Sequence, residues 1–275
     1  MSATAGTRPR RLVLSPAELE LLRRRAGVTL PPGFAVDLIA AGEGREALAG
    51  AVEALAGRDA VRPDPSGDPS ACQAHPSVVA NLRVLAHPEL LLQTSAQYGA
   101  ISVRAAHAVA GPYGASLVRL DERAVELSLF MARHLGRELI RVVPEIPTAV
   151  GREPRPDAVV RLEALERVGP AVESGRQDLI ARLAADLGLD TVEVEAARAL
   201  DQQAAELLRC LVLGPSSTPG GDVRVGQVIW FATADGWIGA APEPGPQGER
   251  LIRLTPVERE DIGSWVAPLL GGALR

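Results

Sequence analysis

The hydrophobic residues at the start of the chain recur at helical spacing. Ser15-Pro16-Ala17-Glu18 combines a capping serine, a proline at the first helical position and a glutamate three residues after the cap, which is a typical helix start. Leucines follow at positions 19, 21 and 22, and a glycine suited to ending the helix comes shortly after them. The helices predicted for this region run from Ser15 to Gly27, over residues 43–56, and from Pro76 to the residue before Pro88.

After Pro88 the hydrophobic period changes from that of a helix to two residues. Residues 124–132 show it best, because Val125, Leu127 and Leu129 alternate with Glu126 and Ser128. Short turns between such segments favour antiparallel pairing of consecutive strands. Four strands are predicted, over residues 89–97, 100–110, 114–120 and 124–132. A helix over residues 136–143 follows them and ends at a proline.

A proline-rich and charged segment over residues 144–156 then divides the chain, and the order of elements repeats after it. We predict helices over residues 158–168, 176–187 and 192–213, strands over 223–233, 236–241 and 250–254, and a last helix from Thr255. Residues 117–120 and 251–254 have similar sequences, but this short echo is too brief to establish a duplication.

The repeated order predicts an α+β fold with quasi-twofold symmetry. Both halves would contribute strands to one central antiparallel sheet, and each would add a helical bundle. The domain division expected is a flexible N-terminus (1–14), an N-terminal half (15–150) and a C-terminal half (151–275), with the two halves intertwined as one domain.

Composition and charge exclude several classes of partner. All 29 basic residues are arginine, and the net charge is −5, so no basic stripe for nucleic acid is expected. The sequence has neither a signal peptide pattern nor an apolar run long enough to span a membrane, which predicts a cytoplasmic protein. Cys72 and Cys210 are expected to be free thiols, with a disulfide as the alternative.

The residues that most resemble a catalytic site each have a structural explanation. The four histidines (75, 87, 107 and 134) lack the spacing of metal ligands, so no metal or cofactor is predicted. Asp121-Glu122 lies in a predicted turn, and the acids of 258–261 lie in the first turn of a predicted helix. The glycine-rich residues 214–221 follow a predicted helix, which is the reverse of a phosphate-binding loop. We therefore predict that the chain is not an enzyme.

Aromatic residues make up only 3% of the chain, and its three tryptophans all lie near the C-terminus. Trp230 and Trp237 fall on predicted strands, and Trp265 falls on the last predicted helix. Tryptophans in such a group serve either as core residues or as anchors of a protein interface. The sequence leaves both alternatives open.

Three segments resemble the EspG-type proteins of actinobacteria, which are associated with ESX (type VII) secretion. Residues 14–19 resemble the opening helix of that family, and residues 75–89 resemble its helix that leads into the sheet. Residues 226–236 resemble its late hairpin. The resemblance implies a central antiparallel sheet with two helical bundles. It also implies a cytosolic chaperone that keeps the apolar tip of a helical-hairpin export substrate, such as a PE–PPE heterodimer, soluble.

The resemblance further implies that the partner binds through the sheet and the C-terminal bundle. On this chain that location corresponds to Leu207, Leu211, Val228, Trp230 and Trp237. The predicted loop over residues 110–114 is shorter than in mycobacterial members, so the substrate is either PE/PPE-like or another small helical protein, such as a WXG-like heterodimer. Two other functions are considered: a homodimeric scaffold that pairs through an edge strand or its tryptophan-rich end, and a small-molecule-binding enzyme that uses His107 or the Asp121 turn.

Overall fold

The structure is a computed structural model that describes residues 11–34, 45–66, 68, 71–146, 157–201, 206–214, 223–233 and 236–270. The helices of these residues are α1 (Pro16–Ala26), α2 (Arg45–Ala56), α3 (Pro76–Ala86), α4 (Leu135–Ile140), α5 (Leu162–Glu173), α6 (Gln177–Leu187), α7 (Thr191–Asp201) and α8 (Ile262–Val266). The strands are β1 (Arg11–Leu14), β2 (Val61–Arg62), β3 (Gln73–Ala74), β4 (Leu90–Tyr98), β5 (Ile101–Ala110), β6 (Tyr113–Arg119), β7 (Val125–Met131), β8 (Ala158–Arg161), β9 (Leu207–Gly214), β10 (Arg224–Thr233), β11 (Gly236–Pro244) and β12 (Arg250–Val257).

Ten of the strands form one sheet in the order β1-β7-β6-β5-β4-β9-β10-β11-β12-β8. All neighbouring strands are antiparallel. The strands of one half of the chain lie on one side of the central β4–β9 pair, and those of the other half lie on the other side. In this order β1 corresponds to β8, β6 to β11 and β7 to β12. The predicted α+β fold with a quasi-twofold central sheet is confirmed.

The helices follow the same repeat. The bundle α1–α3 packs on one end of the sheet, around Leu117 and Leu127, and the bundle α5–α7 packs on the other end of the same face, around Ile238 and Leu254. The short helices α4 and α8 contact each other on the opposite face, where they cover the middle of the sheet. One face therefore has its helices at its two ends, and the other has them at its centre.

The predicted start of the first helix is confirmed in detail. The Glu18 amide donates to Ser15 Oγ (3.3 Å), and the Ser15 amide donates to Glu18 Oε2 (2.7 Å), which completes a capping box. Gly27 ends α1 with a φ of 63°, a left-handed conformation that glycine adopts without a steric penalty.

Residues 11–14 were expected to belong to a flexible terminus, but they form the edge strand β1. The reason is local: Leu14 is completely buried in the core of the N-terminal bundle, and the strand pairs with β7 from Arg11↔Ser128 to Leu14↔Val125. The predicted boundary between the halves, at residue 150, lies outside the described residues.

Three predictions in the second half were wrong in type. Residues 158–161 form β8 before α5 begins, and the helix predicted over 192–213 ends at Asp201, after which Leu207–Gly214 is strand β9. The near-continuous apolar run of β9 fits a helix or a doubly covered strand equally well in sequence. Thr255-Pro256 continues β12 because β8 pairs only as far as Leu254, so the missing amide of Pro256 breaks no bond on that side.

Two smaller points concern the C-terminal half. The capping box near the C-terminus uses Glu258 and Asp261, in a 3₁₀ turn that precedes α8. The echo between residues 117–120 and 251–254 joins β6 to β12, which are not corresponding strands, so it does not reflect the repeat.

Candidate partner-binding face

The described helices leave the central strands β4, β9 and β10 largely uncovered on the face that carries the two bundles, where Ser95, Arg209, Val225 and Gln227 are exposed. Alternation along β9 separates the two faces: Leu208, Cys210 and Val212 are at most 1% exposed beneath α4 and α8, whereas the residues between them point to the other side. We call this other side the open face. Its residues are Leu91, Gln93 and Ser95 in β4, Leu207, Arg209, Leu211 and Leu213 in β9, and Val225, Gln227, Ile229 and Phe231 in β10.

Along the strand direction, the open face is apolar at both ends, and its middle combines polar side chains with Leu211 and Ile229. At one end, Leu213 pairs with Leu91 on one side and with Val225 on the other, and Val225 is 62% exposed. At the other end, Leu207 pairs with Phe231. Amide, hydroxyl and guanidinium groups lie between these two ends. Exposed apolar residues that adjoin polar ones are typical of a protein-binding surface.

The five residues predicted to bind a partner divide between the two faces of the sheet. Leu207 and Leu211 lie half-buried on the open face. Val228, Trp230 and Trp237 point the other way and are no more than 4% exposed. Partner binding by the set stays a prediction, and Leu207 and Leu211 are the two members that a partner on the open face could touch.

The tryptophans form one cluster beneath the open face. Trp230 lies 6.3 Å from Trp237 and 6.0 Å from Trp265 between ring centroids, the latter at 88°. Trp237 Nε1 donates to the Pro144 carbonyl (3.1 Å). Gly239 makes room for Trp265, because a Cβ at Gly239 would lie 2.4 Å from its ring. Trp230 and Trp237 are therefore core residues, and they attach α8 and the Pro144 segment to the sheet.

Sequence reasoning missed nine of the eleven residues of the open face, among them the apolar Leu213, Val225, Ile229 and Phe231. The signal was present in β10, where both alternating sets of positions contain large apolar residues. Such a pattern indicates that both faces of a strand are covered when the protein is in its functional state. It does not indicate which face is covered by the chain itself.

The histidine and carboxylates considered for chemistry are dispersed. His107 lies fully buried on β5, paired with Leu92 and Ser116, and burial lowers its pKa to about 4. Asp121 lies in an exposed turn, where it accepts the Arg123 amide (2.6 Å). Glu258 is the cap described above. The glycine-rich residues 215–222 lie outside the described residues.

Both cysteines are free and buried. Burial raises the pKa of the Cys210 thiol to about 11, which suits a packing residue rather than a nucleophile. Among the described residues, no cluster of three or more histidine, cysteine or acidic side chains could hold a metal ion. No helix in this part of the chain has both the length and the apolar content needed to cross a bilayer.

The repeated strand order and the open face define a class of protein: a twofold α+β fold in which the described helices leave the centre of one sheet face accessible to a partner. The chain matches the EspG family over residues 15–267 and belongs to it. The family predicted from the sequence is therefore confirmed.

The fold is similar to that of the type VII secretion system chaperone EspG5 of Mycobacterium tuberculosis, solved in complex with a PE25–PPE41 dimer. The TM-score is 0.61 at 14% sequence identity, and the match covers 95% of this chain and 96% of the other. No curated protein matches the chain significantly.

Proposed function

We propose that this protein is a cytosolic chaperone of type VII secretion that binds the apolar tip of a helical-hairpin export substrate of the PE–PPE kind and keeps it soluble. Membership of the EspG family and the fold shared with EspG5, whose solved complex contains a PE25–PPE41 dimer, support this function. The observation that carries the proposal is the open face, a sheet surface of apolar and polar side chains that lies between the two helical bundles.

The dimensions of the open face suit a helical partner. Three neighbouring strands span about 10 Å between the outer two, at a spacing of about 4.8 Å. A helix with its side chains has a diameter of about 10–12 Å. One helix, or the tip where two helices meet, can therefore lie on the open face between the bundles. Its apolar side chains would be removed from water together with those of Leu213, Val225 and Phe231.

A homodimer formed by edge strands is less well supported. Arg58 Nη1 donates to the Val13 carbonyl at the β1 edge (2.5 Å), and the Arg161 amide at the β8 edge donates to Glu193 Oε1 (3.2 Å). Side chains thus occupy edge groups that a second copy would need for pairing. Catalysis is not part of the proposal, because the candidate acids and His107 are engaged in turns, caps and the core.

The test is co-expression with PE–PPE-type pairs encoded in the same genome. Three forms are compared: wild type, Val225→Asp on the open face, and Leu120→Asp as a matched control, since Leu120 is 48% exposed away from that face. We expect wild type and the control to hold a pair in a soluble stoichiometric complex, measured by light scattering after gel filtration. Val225→Asp should lose the complex, because binding would bury an unpaired carboxylate. Failure with every pair, or equal binding by all three forms, would contradict the proposal.

A further inference from the structure

A register row of arginines leads from Arg209 on the open face into the neighbouring strands β5 and β6. Arg209 of β9 pairs with Ser95 of β4, Ser95 pairs with Arg104 of β5, and Arg104 pairs with Arg119 of β6. Antiparallel partners point to the same face, so all these side chains share the side on which the bundles lie. Ser95, the smallest of them, leaves space between Arg104 and Arg209, whose strands are about 10 Å apart.

Two of these arginines are placed by the N-terminal bundle. Arg119 Nη2 donates to the Gly33 carbonyl (2.9 Å), and its guanidinium carbon lies 5.8 Å from the centre of the Phe34 ring. Arg104 runs along the same loop, since a Cβ at Gly33 would lie 3.1 Å from its Nη1. Arg104 therefore lines the foot of the bundle and Arg209 lies on the middle strand, and both arginines are exposed.

The charge of this row is not balanced on the open face. Elsewhere, partly buried arginines have carboxylate partners, as Arg141 has in Glu126 (2.7 Å) and Arg161 has in Glu193 (2.8 Å). In the described part of the chain, neither Arg104 nor Arg209 has a carboxylate within ion-pair distance. The other polar groups of the open face are the neutral side chains of Gln93, Gln227 and Ser95. A local positive charge therefore lies on a chain whose net charge is −5.

A partner that covers this row must compensate the arginines. Removing a guanidinium from water without a partner is costly, and a carboxylate in hydrogen-bonding geometry offsets that cost. A cationic partner side chain at the same place would add repulsion. The apolar ends of the open face contribute affinity for many helical tips, so the charged row is the element that can discriminate among them.

We infer that the open face selects helical tips that carry a carboxylate next to their apolar residues, with Arg209 as the main group that binds the carboxylate and Arg104 as the second. This inference rests on the proposed function, because it specifies the partner of the same surface. The partner chemistry is an acidic, otherwise apolar helix tip, and tips with lysine or arginine at that position are excluded.

The test is a surface-displayed library of helical hairpins whose tip residues are randomised, sorted for binding to the purified chain. Wild type is compared with Arg209→Gln, which keeps a polar side chain but removes the charge. The matched control is Arg224→Gln, since Arg224 is an exposed strand arginine on the opposite face of β10. Wild type and the control should enrich apolar residues together with Asp or Glu. Arg209→Gln should still enrich apolar residues but lose the preference for acids.

A second measurement gives the contribution of the carboxylate to affinity, for one tip sequence that the library enriches. Replacing its Glu by Gln should weaken binding to wild type by about 30-fold or more, and the loss should shrink as salt is added. The two tips should bind Arg209→Gln almost equally. Apolar enrichment without acids, or a preference for acids that persists in Arg209→Gln, would overturn the inference and leave the proposed function standing. Absence of apolar enrichment would overturn both.

Discussion

The two halves of the molecule share one strand plan but pack their bundles differently. In the N-terminal half, α1–α3 and the sheet form one continuous core that extends from Leu14 through Leu82 to Leu127. Around the C-terminal bundle α5–α7, the buried residues separate into two small groups. One group, around Val160 and Ile238, lies against the sheet, and the other, around Val168 and Ile180, lies within α5–α7.

The repeat of the sheet therefore does not determine how tightly each bundle packs against it. The N-terminal bundle is continuous with the sheet, so loosening it requires exposure of a large apolar core. The C-terminal bundle has little buried apolar area of its own, and it exposes Leu179 and Val192. Regions with few buried apolar contacts open at lower free energy. We therefore expect the N-terminal bundle, on one side of the open face, to be rigid. The C-terminal bundle, on the other side, should be able to adjust to a partner.

Substitutions in the two bundles should differ most in their effect on global stability. Leu82→Ala, at a completely buried position, should lower the free energy of global unfolding by about 3–4 kcal/mol in urea titrations. Ile180→Ala should cost about 2 kcal/mol and act locally, so that hydrogen exchange accelerates in α5–α7 while the central strands stay protected. Equal global losses from both substitutions would show that the bundles are equally integrated.

The next prediction concerns the stability that the N-terminal half loses at acid pH. His107 is buried and neutral, and burial lowers its pKa to about 4 from an ordinary 6.5, with nearby Arg141 acting in the same direction. The Glu138 backbone opposes the shift, but neither ring nitrogen has a hydrogen-bond partner in the described structure. Because the unfolded chain binds this proton more readily, stability is complete above pH 6.5 and falls as the pH drops toward 4, by up to about 3 kcal/mol.

Replacement of this histidine by leucine removes the titrating group, and no hydrogen bond is lost with it. The variant His107→Leu should have a smaller decrease in unfolding free energy between pH 6.5 and 4 than wild type, measured by urea titration at several pH values. Identical pH profiles for the two proteins would show that His107 is not the group responsible.

The smallest of the three effects belongs to the C-terminal half. Glu193 accepts hydrogen bonds from Arg161 Nε and Nη2, both at 2.8 Å, and this contact lowers the pKa of the carboxyl to about 2 against the opposing effect of burial. The pair joins α7 to β8, so Glu193→Gln should cost roughly 2 kcal/mol. The neighbouring exposed Glu195→Gln is the control and should cost under about 0.5 kcal/mol.

The pH range in which stability is lost distinguishes the two halves. Since the folded pKa of Glu193 lies below its ordinary value of 4.5, its contribution is present above pH 4.5 and is lost only as the pH falls toward 2. Mild acid at pH 5 should therefore weaken the N-terminal half first. Hydrogen exchange that accelerates first in α7 and β8 at that pH would contradict this order.

Local patterns predicted the N-terminal half well because its strands are covered on well-defined faces. The alternation of Val125, Leu127 and Leu129 survives in β7, and the capping box of α1 needs no tertiary information. The same rules failed at β9, where a central strand carries apolar residues on both sides. They failed at β8 because four residues are too few for a periodic signal.

The candidate site was only partly predictable for a related reason. Leu207 and Leu211 reach the open face, whereas the apolar side chains of Val228 and Trp230 lie beneath α8 on the other side. Apolar character identified the right strands, β9 and β10. The choice of face depends on where the helices of both halves pack, and that information is not local. The arginine row is invisible in sequence, because Arg104 and Arg209 are more than a hundred residues apart.

Photo-crosslinking from the two faces of the sheet tests whether the partner binds on the open face. A photo-reactive amino acid replaces Val225 on the open face or, in a separate variant, Ile101, which is 48% exposed and points to the face that carries α4 and α8. Each variant is irradiated with a co-purified helical pair, and the crosslinked product is identified by mass spectrometry. We predict a crosslink from position 225 to the tip of the hairpin and none from position 101. A crosslink from 101 with none from 225 would contradict the assignment of the open face.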